Sequence, residues 1–418
     1  MQTPAGRLSP QPWMIAPETR AVLAALDRGG ADARFVGGCV RDSWLGRPVK
    51  DIDIATHAPP DAVMRMLEDG GVRAIPTGIA HGTVTAVVDR KHYEITTLRR
   101  DVESFGRHAR VEFTDDWKED AARRDFTMNA LSCTPDGLVY DPFGGLADMA
   151  AGRVRFVGDA RQRIREDVLR LLRFFRFHAH YGRGAPDDAA MAACRELAPL
   201  LPTLSGERVH SEIFRLLTSE DPGHVWRLMQ ADGVMEFLLP DAVDAARLDR
   251  MVALQHALGE GADPLLRLAA TLDTERAGAL TVAEDLRLSN AERDRLCAIV
   301  EPKAAVSLAD DAPARRRVLY RVGNAEVYRD LVRMAAVTAP GPVALDAVKA
   351  ALATADELES LRFPLAGRDV LDLGVKPGPH IGTLLRQVEA WWIGQDFRPG
   401  REECLGELRG RIALLPPP

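Results

Sequence analysis

Apolar positions in the first 158 residues follow two periods. Short runs at residues 33–37 and 51–55 and at Gly137–Tyr140 read as strands. Thr83–Val88 and His92–Leu98 read as a hairpin across Asp89-Arg90-Lys91. Helical spacing marks Pro17–Leu26, Val40–Leu45, Asp61–Asp69 after Pro59-Pro60, and a stretch opening at Trp117–Ala122. From Arg161 the strand signal fades and helices take over: Arg163–His180, Asp187–Leu200, Ser205–Leu217, Val225–Ala231 and Ala/Leu/Arg-rich segments to about Ala355. A Gly/Pro-rich break at 364–382 precedes a last helix near Thr383–Ile393, and Leu415–Pro418 is expected to fray. No fixed-period repeat appears. The fold class is therefore α+β: a small mixed sheet with helices, followed by all-α regions. The length of 418 residues suggests two to four domains.

Composition narrows the picture. Hydrophobic content of 46% is enough for real cores. Five scattered cysteines, none in a C-x-x-C pair, indicate neither a disulfide framework nor a structural zinc site. They fit a reducing, cytoplasmic setting. No signal peptide is recognisable, and no apolar run approaches the roughly 20 residues that span a bilayer. A membrane role is not expected, and no protein partner is predicted. A net charge of −7 argues against indiscriminate nucleic-acid binding. Yet from Arg153 to Arg183 nine arginines face only Asp159, Glu166 and Asp167. That stretch is either a localised phosphate-binding surface or a solvated helix face balanced elsewhere.

The segment FVGGCVRDSWLGRPVKDIDIAT, Phe35–Thr56, concentrates the candidate chemistry. Asp51 and Asp53 lie two apart in a predicted strand, so both carboxylates point to one face. Such a pair can hold Mg²⁺, which favours oxygen ligands and completes its shell with water and substrate phosphates. Two surface acids on an edge strand would show the same spacing. The Gly37-Gly38 turn favours the first reading, because glycine backbone can approach phosphate oxygens. Arg41, one turn on, can add a phosphate contact. Glu94, in the strand His92–Leu98, is the candidate third carboxylate; a cross-strand salt bridge is the alternative.

Two further segments carry polar groups in unusual company. In Arg123–Ala130, RRDFTMNA, Arg124 can meet phosphate or ribose and Asp125 can orient it or contact the sugar. Asp125 and Asn129 also suit capping and turn roles. Along Arg163–His180, Val168, Leu171, Leu172, Phe175 and Ala179 form an apolar stripe. Glu166, Arg170 and Arg173 share another face, with Asp167 one turn from Arg170. An Asp–Arg pair can accept from an exocyclic amine and donate to a ring nitrogen. Cytosine and adenine both present that pattern, and uracil and guanine reverse it. The plain alternative is an intrahelical ion pair.

Taken together, FVGGCVRDSWLGRPVKDIDIAT, EITTLRRD, RRDFTMNA, YDPFGGLADM, REDVLRLLRFFRF and SGERVHSEIFRLL resemble the class II tRNA nucleotidyltransferase and bacterial poly(A) polymerase family. They follow the family's order over about residues 30–220. The resemblance implies a nucleotidyltransferase head or palm over 1–158 and a base-reading helical neck over 159–220. It further implies an RNA-binding helical body over 221–355 and a tRNA-binding tail over 356–418. It implies that Gly38 and Arg41 bind triphosphate and that Asp51 and Asp53 bind Mg²⁺. Arg124, Asp167, Arg170, Arg173 and Arg176 match nucleotide-contacting positions. Glu207, Arg208 and Glu212 match a neck-stabilising motif, where an ordinary Arg208–Glu212 pair is the alternative.

Within that family, the loop PTGIAHGTVT resembles CCA-adding members, and neither the G-R-R-F element nor the basic tail of its poly(A) polymerases is present; the resemblance thus implies CCA addition to tRNA from CTP and ATP over poly(A) synthesis. A CC-adding or A-adding specialist stays open, as does a non-catalytic tRNA-binding protein. Residues Leu265–Leu272, LLRLAATL, lack the His-Asp pair of relatives that carry a phosphohydrolase domain, so no hydrolase activity is expected.

Overall fold

The computed structural model describes residues 3–105 and 108–414; the fraying expected of Leu415–Pro418 lies outside them. The chain forms two compact units, Met1–Pro240 and Asp241–Pro418.

The first unit is built on ten strands. They are β1 (Gly6–Arg7), β2 (Ala33–Val36), β3 (Ile52–Thr56), β4 (Arg73–Gly78), β5 (Thr83–Val88), β6 (Lys91–Thr97), β7 (Arg99–Phe105), β8 (His108–Phe113), β9 (Ser132–Cys133) and β10 (Leu138–Tyr140). Eight make one mixed sheet in the order β1-β10-β9-β2-β3-β6-β5-β4, and β7 and β8 pair separately. At its centre β3 runs antiparallel to β2 and parallel to β6. Phe35, Ile54, Tyr93 and Ile95 on these strands are fully buried. The pleat then turns the alternate residue of β3, Asp53, to the opposite face.

Local chemistry explains where the elements begin and end. Only Asp89 and Arg90 join β5 to β6, both at positive φ (47° and 67°). A two-residue hairpin turn requires that left-handed pair, so Lys91, expected in the turn, opens β6 instead. Asp51, expected inside the strand, immediately precedes β3. The β7–β8 hairpin had no counterpart in the sequence reading.

The largest difference lies in the neck. The helix expected over Arg163–His180 is two helices, Ala160–Glu166 and Leu169–Tyr181. Asp167 between them is extended (φ −152°, ψ 107°). Its Oδ1 accepts from the Leu169 N–H at 3.1 Å, so the side chain caps the second helix rather than continuing the first. The expected stripe also changes. Val168 and Ala179 are partly exposed, while Leu169, Phe174 and Phe177 join Leu171, Leu172 and Phe175 in the core.

The second unit is built from helices among its described residues, with one isolated bridge, Ala242 to Leu272. One core gathers Leu319, Tyr328, Val332 and Val348, and another gathers Val388, Trp392, Cys404 and Leu408. Arg295 ties Asp263 to Asp330 at 2.5 and 2.7 Å. The expected last helix spans His380–Gly394, and a further one, Arg401–Ala413, follows it. That helix buries only Cys404 and Leu408, four residues apart, too narrow a stripe for periodicity to flag.

Candidate active site

The turn after β2 opens the site. Gly37 has φ 70° and starts the helix Gly38–Trp44. The positive φ calls for glycine, and a Cβ here would displace the Arg124 guanidinium, 2.9 Å away at Nη1. On the neighbouring strands Asp53 of β3 lies in register with Glu94 of β6. Burial, and then the negative charge of Glu94, push the Asp53 carboxyl up to about 6, with Asp51 adding to the effect and Arg124 opposing it. Among the described residues neither Asp51 nor Asp53 makes an ion pair. No three His, Cys, Asp or Glu side chains among those residues are gathered closely enough to hold a metal ion. Glu94 therefore adds charge beside Asp53 without closing a three-carboxylate cage.

A chain of polar contacts fixes the wall beyond the turn. Arg41 donates through Nε and Nη2 to Asp42 at 2.9 and 2.8 Å, and through Nη1 to Asn129 Oδ1 at 2.6 Å. Asn129 Nδ2 donates to Asp125 Oδ1 at 2.9 Å. Asp125 Oδ2 accepts from Arg173 Nε at 2.7 Å. Burial alone would raise the Asp125 pKa; Arg173, Asn129 and the Phe126 N–H outweigh it and bring the carboxyl to about 2. Arg124 lies 3.4 Å from Asp120. Asn129, expected in a capping or turn role, is the joint between the Arg41 and Arg173 ends of this chain.

The neck residues are partnered differently from the sequence expectation. Asp167 and Arg170 do not pair. Arg170 Nη1 lies 2.7 Å from Glu166 Oε2, and Arg208 Nη2 lies 2.7 Å from Asp167 Oδ2. Nor do Arg208 and Glu212 form an i, i+4 pair. Glu212 is buried, with Oε2 2.7 Å from Arg176 Nε and Oε1 3.9 Å from Arg173 Nη1. The helix Gly206–Leu217 thus holds the helix Leu169–Tyr181 through Glu212 and Arg176, and the residue between the two neck helices through Arg208 and Asp167.

These pieces enclose a cleft of about 480 Å³. Gly37, Gly38, Arg41, Asp53, Arg124 and Asp125 line it from the sheet side, and Asp167, Arg170, Arg173 and Arg208 from the neck. Asp51, Glu94, Arg176, Glu207 and Glu212 lie outside this lining. The sequence reading missed Phe177, whose ring forms part of the wall with the guanidinium groups of Arg41, Arg173 and Arg176 4.6–5.5 Å from its centroid. Its signal was one more phenylalanine in a run read only as core.

The sequence of a Poly A polymerase head domain family matches residues 33–155, and a probable RNA and SrmB-binding site of polymerase A matches residues 185–245. CCA tRNA nucleotidyltransferase 1, mitochondrial, of Danio rerio is 33% identical over 389 residues, covering 90% of this chain and 87% of that protein. The chain belongs to the CCA tRNA nucleotidyltransferase family. The CCA-adding enzyme of Levilactobacillus brevis is likewise 33% identical, over 88% of this chain and 91% of its own length. The crystal structure of Bacillus stearothermophilus CCA-adding enzyme in complex with CTP superposes with a TM-score of 0.72 at 28% identity, over 96% of this chain and 98% of that one. The expected α+β class, a mixed sheet followed by helices, is the family's fold. A member of the CCA tRNA nucleotidyltransferase family is an enzyme, a nucleotidyltransferase.

Proposed function

We propose that this protein completes the 3′ CCA end of tRNA, adding nucleotides from CTP and ATP. One observation carries the reading: Asp53 opens onto the same cleft as Asp167, Arg170 and Arg208. A nucleotide spanning that distance would have its α-phosphate beside the carboxylate pair and its base edge at the neck. Asp167 accepts from the exocyclic amine of C or A, and Arg170 donates to the ring nitrogen beside it. The protein itself acts as the template. Gly37 and Gly38 admit the phosphates close to the backbone. Arg41, Arg124 and Arg173, fixed by Asn129, Asp120 and Asp125, supply positive charge in a set geometry, so positioning and charge stabilisation dominate.

Mg²⁺ fits this donor set. Asp51 and Asp53 are two carboxylates that make no ion pair among the described residues, next to a third negative group, Glu94. Mg²⁺ needs only one or two protein carboxylates when phosphates and water supply the rest. Bound there, it would activate the RNA 3′ hydroxyl and offset the charge of the departing pyrophosphate. Within this reading, residues 159–220 are the base-reading neck, with Glu207, Arg208 and Glu212 stabilising it, and 221–355 and 356–418 contact tRNA. A cytoplasmic setting suits five buried free cysteines. None of the described helices is long and apolar enough to cross a membrane.

Extension of a tRNA lacking CCA, with CTP alone, ATP alone and both, tests the assignment. Arrest after three nucleotides with both is the expected result. An unlimited A-tail would assign a poly(A) polymerase. Arrest after CC or after a single A would assign a specialist. RNA binding without Mg²⁺-dependent incorporation would overturn the enzyme reading for this chain.

A further inference from the structure

A second cleft, of about 570 Å³, meets the first at the carboxylates. The two share Gly38, Asp53 and Phe177, and the second adds Asp51. Its remaining wall is basic, with Arg47, Lys50, Arg176, His180 and Arg215. Two of these cations are already committed. Arg47 Nη2 donates to the His180 carbonyl at 2.7 Å and its guanidinium lies 4.4 Å from the Tyr181 ring centroid. Arg176 pairs with Glu212. Lys50 and Arg215 are exposed, and neither has an ion pair among the described residues. Of the acids in the cleft, Asp42 is held by Arg41 and Tyr181, which leaves Asp51 and Asp53 in the same lining as the two uncommitted cations.

Nucleotidyl transfer joins three phosphate-bearing parties at one phosphorus. The attacking hydroxyl and the leaving pyrophosphate lie roughly in line on opposite sides of it. The first cleft supplies the base readers and three arginines. Its arginines lie on one side of Asp53, and Lys50 and Arg215 belong only to the second cleft. We propose that the second cleft is a phosphate-binding subsite, in which Lys50 and Arg215 hold phosphate oxygens on the far side of the catalytic carboxylates. The inference rests on the nucleotidyl-transfer reading. Two sources carry that chemistry: the terminal phosphodiesters of the acceptor RNA, and the pyrophosphate end of the nucleotide. Both cations are exposed ends of long side chains, suited to a mobile ligand rather than to structure.

The test uses the full chain with Lys50→Ala, Arg215→Ala and Lys50→Arg. Steady-state kinetics are measured with CCA-lacking tRNA, with CTP, and with pyrophosphate in the reverse reaction. Each alanine variant is expected to raise a KM about fivefold or more, while Lys50→Arg stays within about twofold of the parent. A rise confined to tRNA, with a salt dependence flattened by about one unit of slope, assigns the subsite to the RNA terminus. A rise for CTP and pyrophosphate with tRNA unchanged assigns it to the leaving group. Unchanged KM for all three overturns the inference. An unmodified protein that incorporates nothing would instead remove the functional reading beneath it.

Discussion

Arg208 reaches back 41 positions to hold Asp167, with its Nη2 2.7 Å from Asp167 Oδ2. The carboxylate proposed to read the base edge is therefore held by a residue of a different helix. Its Oδ1 is engaged by the Leu169 N–H, so both oxygens are fixed in direction while lone pairs stay available to an incoming amine. A base-edge contact of this kind is worth about 1–3 kcal/mol of discrimination. Asp167→Ala is expected to lower the preference for CTP and ATP over UTP and GTP by at least about tenfold, with a smaller effect on tRNA affinity. Arg208→Ala should move the same ratio less, and should add little in the Asp167→Ala background. Competition assays with mixed nucleotides give the ratios. Unchanged rejection of UTP and GTP in Asp167→Ala would count against the base-edge mechanism.

The carboxylate pair gives a second outcome. Asp51 is exposed and Asp53 half-buried, and neither makes an ion pair among the described residues. Removing them costs little folding energy. It also removes repulsion, since Asp51 and Glu94 both raise the Asp53 pKa beyond what burial does. The variant with Asp51→Ala and Asp53→Ala is expected to melt within a few degrees of the parent and to lose at least about a thousandfold in incorporation. Thermal melts and a radiolabelled nucleotide assay check both halves. Near-normal turnover would remove the pair from the mechanism.

How much of this was legible in the sequence depends on how local the cause is. Strand alternation placed Asp53 on one face, and parallel pairing of β3 with β6 brought Glu94 beside it. The glycine turn at Gly37 carried its own signature. Partner choice did not. Spacing alone suggested Asp167–Arg170 and Arg208–Glu212, because residues three or four apart on one helix are neighbours. A break at Asp167 cancels the first premise. A second helix packed alongside then offers each group a better-placed partner, Arg208 for Asp167 and Arg176 for Glu212. Such exchanges depend on tertiary packing, which no single helical period records. The linking role of Asn129 was hidden for the same reason: its side-chain contacts are with Arg41 and Asp125, 88 and 4 residues away.

Asp125 supplies a pH-dependent outcome. Its folded pKa of about 2 is below the ordinary value near 3.9, so the unfolded chain binds its proton first as pH falls. The stabilisation is complete above about pH 4 and is lost as pH drops through about 2. Nearly two units correspond to about 2.5 kcal/mol for this buried group. Asp125→Asn should lower stability at pH 7 by about that amount and flatten the stability profile between pH 4 and 2. It should also weaken nucleotide binding, because Arg173 loses its anchor. Urea melts across that range, with a parallel KM for CTP, separate the two effects. An unaltered acid limb would show that Asp125 does not carry it.

His178 works at higher pH and through a different cause. It is buried on the neck helix, its ring 6.2 Å from that of Phe174 and 6.3 Å from that of His224. Burial, and then the nearby His224, lower its pKa from 6.5 to about 4. Its Nδ1 has no hydrogen-bond partner among the described residues, so protonation would place an uncompensated charge in the core. Between pH 6.5 and 4 the unfolded chain is protonated at this site and the folded chain is not, and stability must fall as pH is lowered through that window. The loss is on the order of 3 kcal/mol at its acid end. His178→Phe keeps the ring stacked on Phe174 and removes the titration. The variant is expected to lose much less stability than the parent on going from pH 7 to pH 5. Denaturant midpoints at the two values measure the difference, and equal losses in both proteins would place the acid sensitivity elsewhere.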